Sequence, residues 1–251
     1  GVGKSTFAMN FALALKSTGS KVGILDADIY GPSLPKMMSI KNKPESKDGK
    51  SLVPIEQYGI QCMSIGFLVD EETPMIWRGP MVISAIKTLT EKVSWKDLDF
   101  LIIDMPPGTG DTQLTFAQDV KIDGAIIVST PQELALMDVQ RGIQMFDKTK
   151  IKILGLIDNM SFFKGDDGKK YAIFGEGGVE RIAKEFGKKF LGKIPINTKL
   201  RESADLGLPL AYKEPDHEVS KIFSEIAKKI TNCLLYTSDA ADDMQCVDLG
   251  G

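Results

Sequence analysis

Gly1-Val2-Gly3-Lys4-Ser5-Thr6 is the stretch whose reading decides the fold. It matches the second half of the phosphate-binding pattern G-x-x-x-x-G-K-[ST], whose first glycine would precede Gly1. In such loops glycines let backbone N–H groups close around phosphate oxygens. Lys4 then places a point charge at the β- and γ-phosphates, and the Ser5 hydroxyl ligates Mg2+. The helix beginning near Ser5 adds the positive end of its dipole. Gly1, Val2, Gly3, Lys4, Ser5 and Thr6 are therefore the expected nucleotide-binding residues, with Lys4 also a catalytic candidate.

Working outward, Phe7 to Lys16 repeats apolar residues at helical spacing, and Lys21 to Asp26 is a short apolar strand ending in carboxylates. The Pro-, Gly-, Lys- and Ser-rich stretch from Tyr30 to Lys50 is predicted as an exposed loop. Further strands are expected at 61–67, 100–104, 124–129, 151–157 and, as the last, 190–194. Helices are expected at 81–93, 132–146, 178–186 and 219–230. Alternating strands and helices with continuous apolar strand runs predict an α/β fold: a three-layer, mostly parallel sheet with helices on both faces, of the P-loop NTPase kind. On this reading the strand before the loop is missing. Ligands of such sheets bind beyond the carboxyl ends of strands, where Asp26, Asp104 and the opening loop all fall.

Asp104 ends the run Phe100-Leu101-Ile102-Ile103 and precedes Pro106-Pro107-Gly108-Thr109-Gly110-Asp111. An acid ending a hydrophobic strand holds the Mg2+ water shell in phosphate-loop enzymes. The Gly108 N–H is expected to sense the γ-phosphate. Asp26-Ala27-Asp28 supplies two more carboxylates: Asp28 to orient the attacking water, Asp26 nearer the metal. The catalytic set is thus Lys4, Asp28 and Asp104, and the Mg2+ set is Ser5, Asp26 and Asp104. Phosphoryl transfer depends on positioning and charge neutralisation more than on a strong base.

At 251 residues, 43% hydrophobic and 26% charged, the chain suits one large domain. A net charge of −3 argues against nucleic-acid binding by bulk electrostatics. No apolar run reaches the length of a membrane span. Cys62, Cys233 and Cys246 form neither a disulfide framework nor a zinc pattern, so a reducing, cytoplasmic setting is expected. Cys62 is read as a buried thiol and His217 as a surface residue. The apolar stripe Val219, Ile222, Phe223, Ile226 and Ile230 is read as core packing rather than a membrane anchor.

Gly1 to Thr6, Asp26-Ala27-Asp28-Ile29-Tyr30-Gly31-Pro32-Ser33, Trp77-Arg78-Gly79-Pro80 and Asp104 to Asp111 together resemble the Mrp/ApbC family of deviant Walker A ATPases. Ser129-Thr130-Pro131-Gln132, Asp158-Asn159-Met160-Ser161 and Arg201 to Asp205 extend the resemblance to about residue 230. It implies a homodimeric, Mg2+-dependent, slow ATPase acting in iron–sulfur cluster assembly and transfer, with apo iron–sulfur proteins and cluster-assembly factors as partners. From the net charge and the last helix, neither nucleic acid nor membrane is expected as a partner. The resemblance further implies that Asn159 contacts the adenine edge; a turn-forming Asn is the other reading. The alternative function is a MinD/ParA-like switch that positions cargo without binding a cluster.

Two departures matter. The family's signature lysine would precede Gly1. A C-x-x-C pair, which in many members binds a [4Fe–4S] cluster between subunits, is absent after Ser161, where Phe162-Phe163-Lys164-Gly165-Asp166-Asp167-Gly168-Lys169-Lys170 reads as a polar hairpin. Clusters are held by thiolates, and carboxylates replace them poorly, so no iron–sulfur ligands are found. The domain is expected to span residues 1–232. Residues 233–251, acidic and ending Gly-Gly, are expected to be non-native or disordered, with little packing.

Overall fold

The computed structural model describes residues 1–46, 49, 51–68, 79–108, 110–235 and 245–250. Trp77, Arg78, Thr109 and the 236–244 part of the tail lie outside the described residues.

The strands are β1 (Val22–Asp26), β2 (Ile55–Gln57), β3 (Ile60–Ser64), β4 (Phe100–Asp104), β5 (Gly124–Ser129), β6 (Ile153–Lys164), β7 (Lys170–Tyr171), β8 (Phe190–Ile196) and β9 (Gln245–Gly250). The helices are α1 (Lys4–Ser17), α2 (Leu34–Met37), α3 (Gly79–Glu91), α4 (Asp111–Asp119), α5 (Glu133–Thr149), α6 (Gly178–Glu185), α7 (Thr198–Asp205), α8 (Leu210–Lys213) and α9 (Glu218–Leu235). One sheet joins the described strands in the order β2-β3-β1-β4-β9-β5-β6, with β7 and β8 both on β6. Every pairing in it is parallel except β2 with β3 and β6 with β7.

Continuous apolar strands are buried on both faces because helices cover both. Successive residues of one strand therefore feed different cores. Ile24 and Ile102 pack with α1 and α9, while Leu25, Leu101 and Ile103 pack with α3. A third cluster joins Ala125 and Ile127 of β5 to α5 and α6. The α1–α9 contact is partly aromatic, with the Phe7 ring 5.4 Å from Phe11 and 5.8 Å from Phe223. Val219, Phe223, Ile226 and Ile230 are buried there, so the last helix packs inward. Among the described residues no helix is long and apolar enough to cross a membrane.

Several elements differ from the sequence reading. The stretch expected as a loop from Tyr30 to Lys50 contains α2, a single turn closed by buried Leu34 and Met37. Helix α4 follows Gly110 unanticipated, since Asp111 to Asp119 has too few apolar residues to display a stripe. Strand β6 runs on to Lys164, so Asn159 and Ser161 lie within a strand. The register with β8 breaks between Asn159 and Phe163, where Met160 takes φ 55°. Helix α9 continues past residue 232 to Leu235. Strand 190–194 is not the last: the backbone of β9 pairs with β4 on one side and β5 on the other, at the centre of the sheet, where the sequence leads one to expect little packing. His217 is half-buried, its Nδ1 accepting from the Val219 N–H at 3.2 Å.

Buried Asp158 on β6 has an Oδ1 without a hydrogen-bond partner. Burial raises its carboxyl from 3.8 to about 6, against the nearby Lys193 ammonium and with the Glu180 charge. The folded state therefore holds more protons than the unfolded chain between these values. Its stability falls as pH rises through that window and stays lower above it. Asp158→Asn should be more stable than the parent at pH 7.5 by on the order of 1–3 kcal/mol, with the gap closing near pH 4. Urea unfolding at both pH values checks this; an equal difference at each would contradict it.

Candidate functional site

The parallel register sets the carboxyl edge of the sheet in a row, with Ser64 beside Asp26 and Asp26 beside Asp104. Above that edge, α1 begins at Lys4 with no side-chain cap and no acidic residue in its first turn. Its first N–H groups are thus unmatched inside the helix and open to an anion. Gly3 caps the helix at φ 82°, a left-handed conformation that suits glycine. A Cβ at Gly3 would also meet Asn159 Nδ2 at 2.5 Å. A cavity of about 420 Å³ lies over this turn, lined by Gly1 to Thr6 together with Asp28, Gly108 and Ser129.

Behind the wall, Lys4 Nζ meets Asp104 Oδ1 at 2.7 Å, both groups buried. Burial raises the Asp104 carboxyl, while the Lys4 charge and the Lys4 and Ser5 hydrogen bonds oppose the rise. A lysine and a serine hydroxyl of the cavity lining therefore converge on a carboxylate just behind it. Hard oxygen donors of this kind suit Mg2+, which needs only one or two protein oxygens when phosphates and water complete its shell. The residues present fit that ion.

Asp28 also lines the cavity, half-buried, its Oδ1 accepting from the Tyr30 N–H at 3.0 Å. Asp26 stands further back, 1% exposed. Its Oδ2 accepts from the Ser33 N–H at 2.9 Å, the Leu34 N–H at 3.0 Å and the Ser64 hydroxyl at 3.0 Å, and its Oδ1 accepts from the Asp28 N–H at 3.2 Å. Burial and the neighbouring Asp104 charge push Asp26 up to about 6 despite these bonds. Asp26 thus ties down the loop that carries Asp28 and is not on the cavity wall. Asn159 is not on the wall either: it sits behind the loop, its Nδ2 donating to the Val2 carbonyl at 2.7 Å.

Other residues escaped the sequence reading. Ser64 joins Asp26 to the 3-10 turn at Ile65–Phe67 by accepting the Gly66 N–H at 3.0 Å. Asp138 lines the cavity from α5 and pairs with Arg141 at 3.1 Å, a spacing that in sequence reads as an ordinary solvated helix pair. Gln113 of α4 reaches back to the turn after Asp104. A Gln two residues beyond Asp111 was the available signal, but without α4 it had no address.

Of the described cysteine side chains, Cys62 and Cys233 do not gather. Cys62 is buried in β3, where burial pushes its thiol up to about 12, and Cys233 lies half-buried on α9. Among the described residues no group of three or more His, Cys, Asp and Glu side chains is placed to hold a metal ion.

The profile of the NUBPL iron-transfer P-loop NTPase family, of the ParA type, matches residues 1–231. The chain is 48% identical over 233 residues to an iron–sulfur cluster transfer protein NUBPL of Dictyostelium discoideum, covering 92% of this chain and 72% of that protein. It is 49% identical over 230 residues to an iron–sulfur cluster carrier protein of Pseudomonas fragi, covering 90% and 80%. Among solved structures it is similar to a nucleotide-binding protein of Archaeoglobus fulgidus in complex with ADP, with TM-score 0.75 and 38% identity over 89% of this chain and 87% of that one. With the glycine turn, the buried Lys4–Asp104 pair and the parallel sheet all in place, the chain belongs to the NUBPL iron-transfer family of P-loop NTPases.

Proposed function

We propose that this chain binds and slowly hydrolyses ATP with Mg2+ in the cavity over Gly1 to Thr6, and that the cycle drives iron–sulfur cluster transfer to apo-proteins. The observation that carries this is the Lys4–Asp104 pair at 2.7 Å beneath an uncapped glycine-turn helix. An ammonium held by a buried acid beneath uncapped helix N–H groups can exchange that acid for phosphate oxygens. When the triphosphate enters, Lys4 turns to its β- and γ-oxygens and Asp104 gives up the ammonium. Ser5 and Asp104 would hold Mg2+, which neutralises charge on the phosphates when bound. Backbone N–H groups of the first α1 turn hold the phosphates, Gly108 faces the γ-phosphate, and Asp28 orients water. Asn159 keeps the Val2–Gly3 turn in place from behind.

A second copy of the chain is the partner we assign to the apolar side chains exposed around the cavity mouth. Tyr30 lies two residues beyond Asp28, and Leu134 and Met137 flank the wall residue Ala135. The relatives named above for cluster transfer and carriage support the cargo. Among the described side chains the thiols do not fit a resident cluster, since Cys62 is buried with its thiol pushed up to about 12 and Cys233 lies on another element. We therefore assign it the nucleotide-gated step of transfer, with the acceptor supplying thiolates, in a reducing compartment such as the cytoplasm.

Anaerobic transfer from an iron- and sulfide-loaded donor to an apo-ferredoxin tests this, with and without Mg·ATP. Catalytic amounts of the protein should speed cluster arrival only when ATP is present. Arrival at the same rate with and without ATP, from protein shown to bind nucleotide, would remove the transfer role.

A further inference from the structure

Pro107 and Gly108, in the turn after Asp104, line the cavity, and neither Pro106 nor Pro107 has an N–H. Gly108 is thus the one backbone donor of Pro106–Gly108. It lines the cavity at φ 104°, a conformation that disfavours any side chain. Among the described residues, one side chain reaches this turn with a hydrogen bond. Gln113, on the first turns of α4 and only 6% exposed, donates from Nε2 to the Pro106 carbonyl at 2.5 Å. Its Oε1 is buried with no hydrogen-bond partner, 3.9 Å from where a Cβ of Gly108 would stand. Buried acceptors without a donor are rare in folded proteins. This one lies beside the residue assigned to sense the γ-phosphate.

Building on the nucleotide reading, we propose that Gln113 is a positioning residue that sets the preference of the site for a nucleoside triphosphate over a diphosphate. Its Nε2–H fixes the Pro106 carbonyl and, through two rigid prolines, aims the Gly108 N–H at the cavity. Its unpaired Oε1 makes the present turn one of two arrangements. A small shift of the turn brings a donor, a backbone N–H or a water, onto that oxygen. Loading of a γ-phosphate and satisfaction of Oε1 are then two consequences of one movement. A diphosphate, which has no γ-oxygen for Gly108, gains nothing from it.

Gln113→Glu keeps the shape but replaces the donor with an acceptor facing the Pro106 carbonyl, and Gln113→Met keeps the length with neither. Calorimetric titration of the full chain with Mg·AMPPNP and with Mg·ADP should show triphosphate binding weakened about tenfold or more in both variants, as expected for losing a charge-assisted hydrogen bond. ADP binding should stay within about twofold of the parent, because its contacts lie on the Gly1–Thr6 side. Equal weakening of both ligands would make Gln113 merely structural and overturn the proposal, as would no change in either. A parent protein that binds neither nucleotide would instead overturn the reading of the site itself. Thermal unfolding confirms that each variant is folded; should Gln113→Glu fail, Gln113→Met decides alone.

Discussion

Asp104→Ala should reduce ATP turnover by on the order of 10²–10³ or more, the scale for removing one preorganised electrostatic group. It should also destabilise the empty protein by about 3–5 kcal/mol, because it strands the buried Lys4 ammonium. Both effects come from the 2.7 Å pair, but they need not move together. Lys4→Ala leaves a carboxyl that burial already raises, so the stability cost should shrink as pH falls and protonation relieves the stranded charge. Activity should nevertheless vanish as completely, since Lys4 is the charge at the phosphates. The double variant Lys4→Met/Asp104→Leu removes both ions and leaves neither charge of the pair stranded. It should unfold within about 1–2 kcal/mol of the parent, since apolar replacement of a buried pair is often neutral or stabilising. Urea midpoints and phosphate-release rates on the three proteins separate the roles. An Asp104→Ala protein that still turns over would remove Asp104 from the catalytic set.

The legible part of this molecule is the part whose physics is local. Phe100-Leu101-Ile102-Ile103-Asp104 announces a buried strand with an acid at its carboxyl edge, and that is β4. Gly3-Lys4-Ser5 announces a turn into a helix, and α1 starts at Lys4. What stayed hidden depends on which elements meet. Asp26 and Asp28 look alike in sequence, two acids at one strand end. Only the return of Ser33, Leu34 and Ser64 onto Asp26 shows that one carboxylate is used up by the protein itself. Asn159 likewise offers an amide with no address until β6 is seen to pass behind Val2. Gln113 needed α4 to exist, and α4 has too few apolar residues to be read. The backbone of β9 at the sheet centre could not be read from an acidic tail, because its place is defined only by the strands on either side.

Asp28→Asn should lower kcat by about 10²–10⁴, the range for a positioned group acting on a proton in the transition state. Its KM for ATP should hold or fall. The substitution keeps the loop, because an Asn Oδ1 still accepts the Tyr30 N–H and the backbone N–H of position 28 still donates to Asp26. It removes one negative charge from the wall of a cavity built for a polyanion, so the ground state is relieved while the transition state is not. Steady-state kinetics on the variant distinguish the two readings. A raised KM with unchanged kcat would place Asp28 in ground-state binding and leave the attacking water without a partner. Three carboxylates reach this edge of the sheet, and their surroundings divide the work. Asp26 has its oxygens occupied by backbone and serine donors, and Asp104 has Lys4. Of these three, Asp28 is the one on the cavity wall, where a water and a γ-phosphate could both be within its reach.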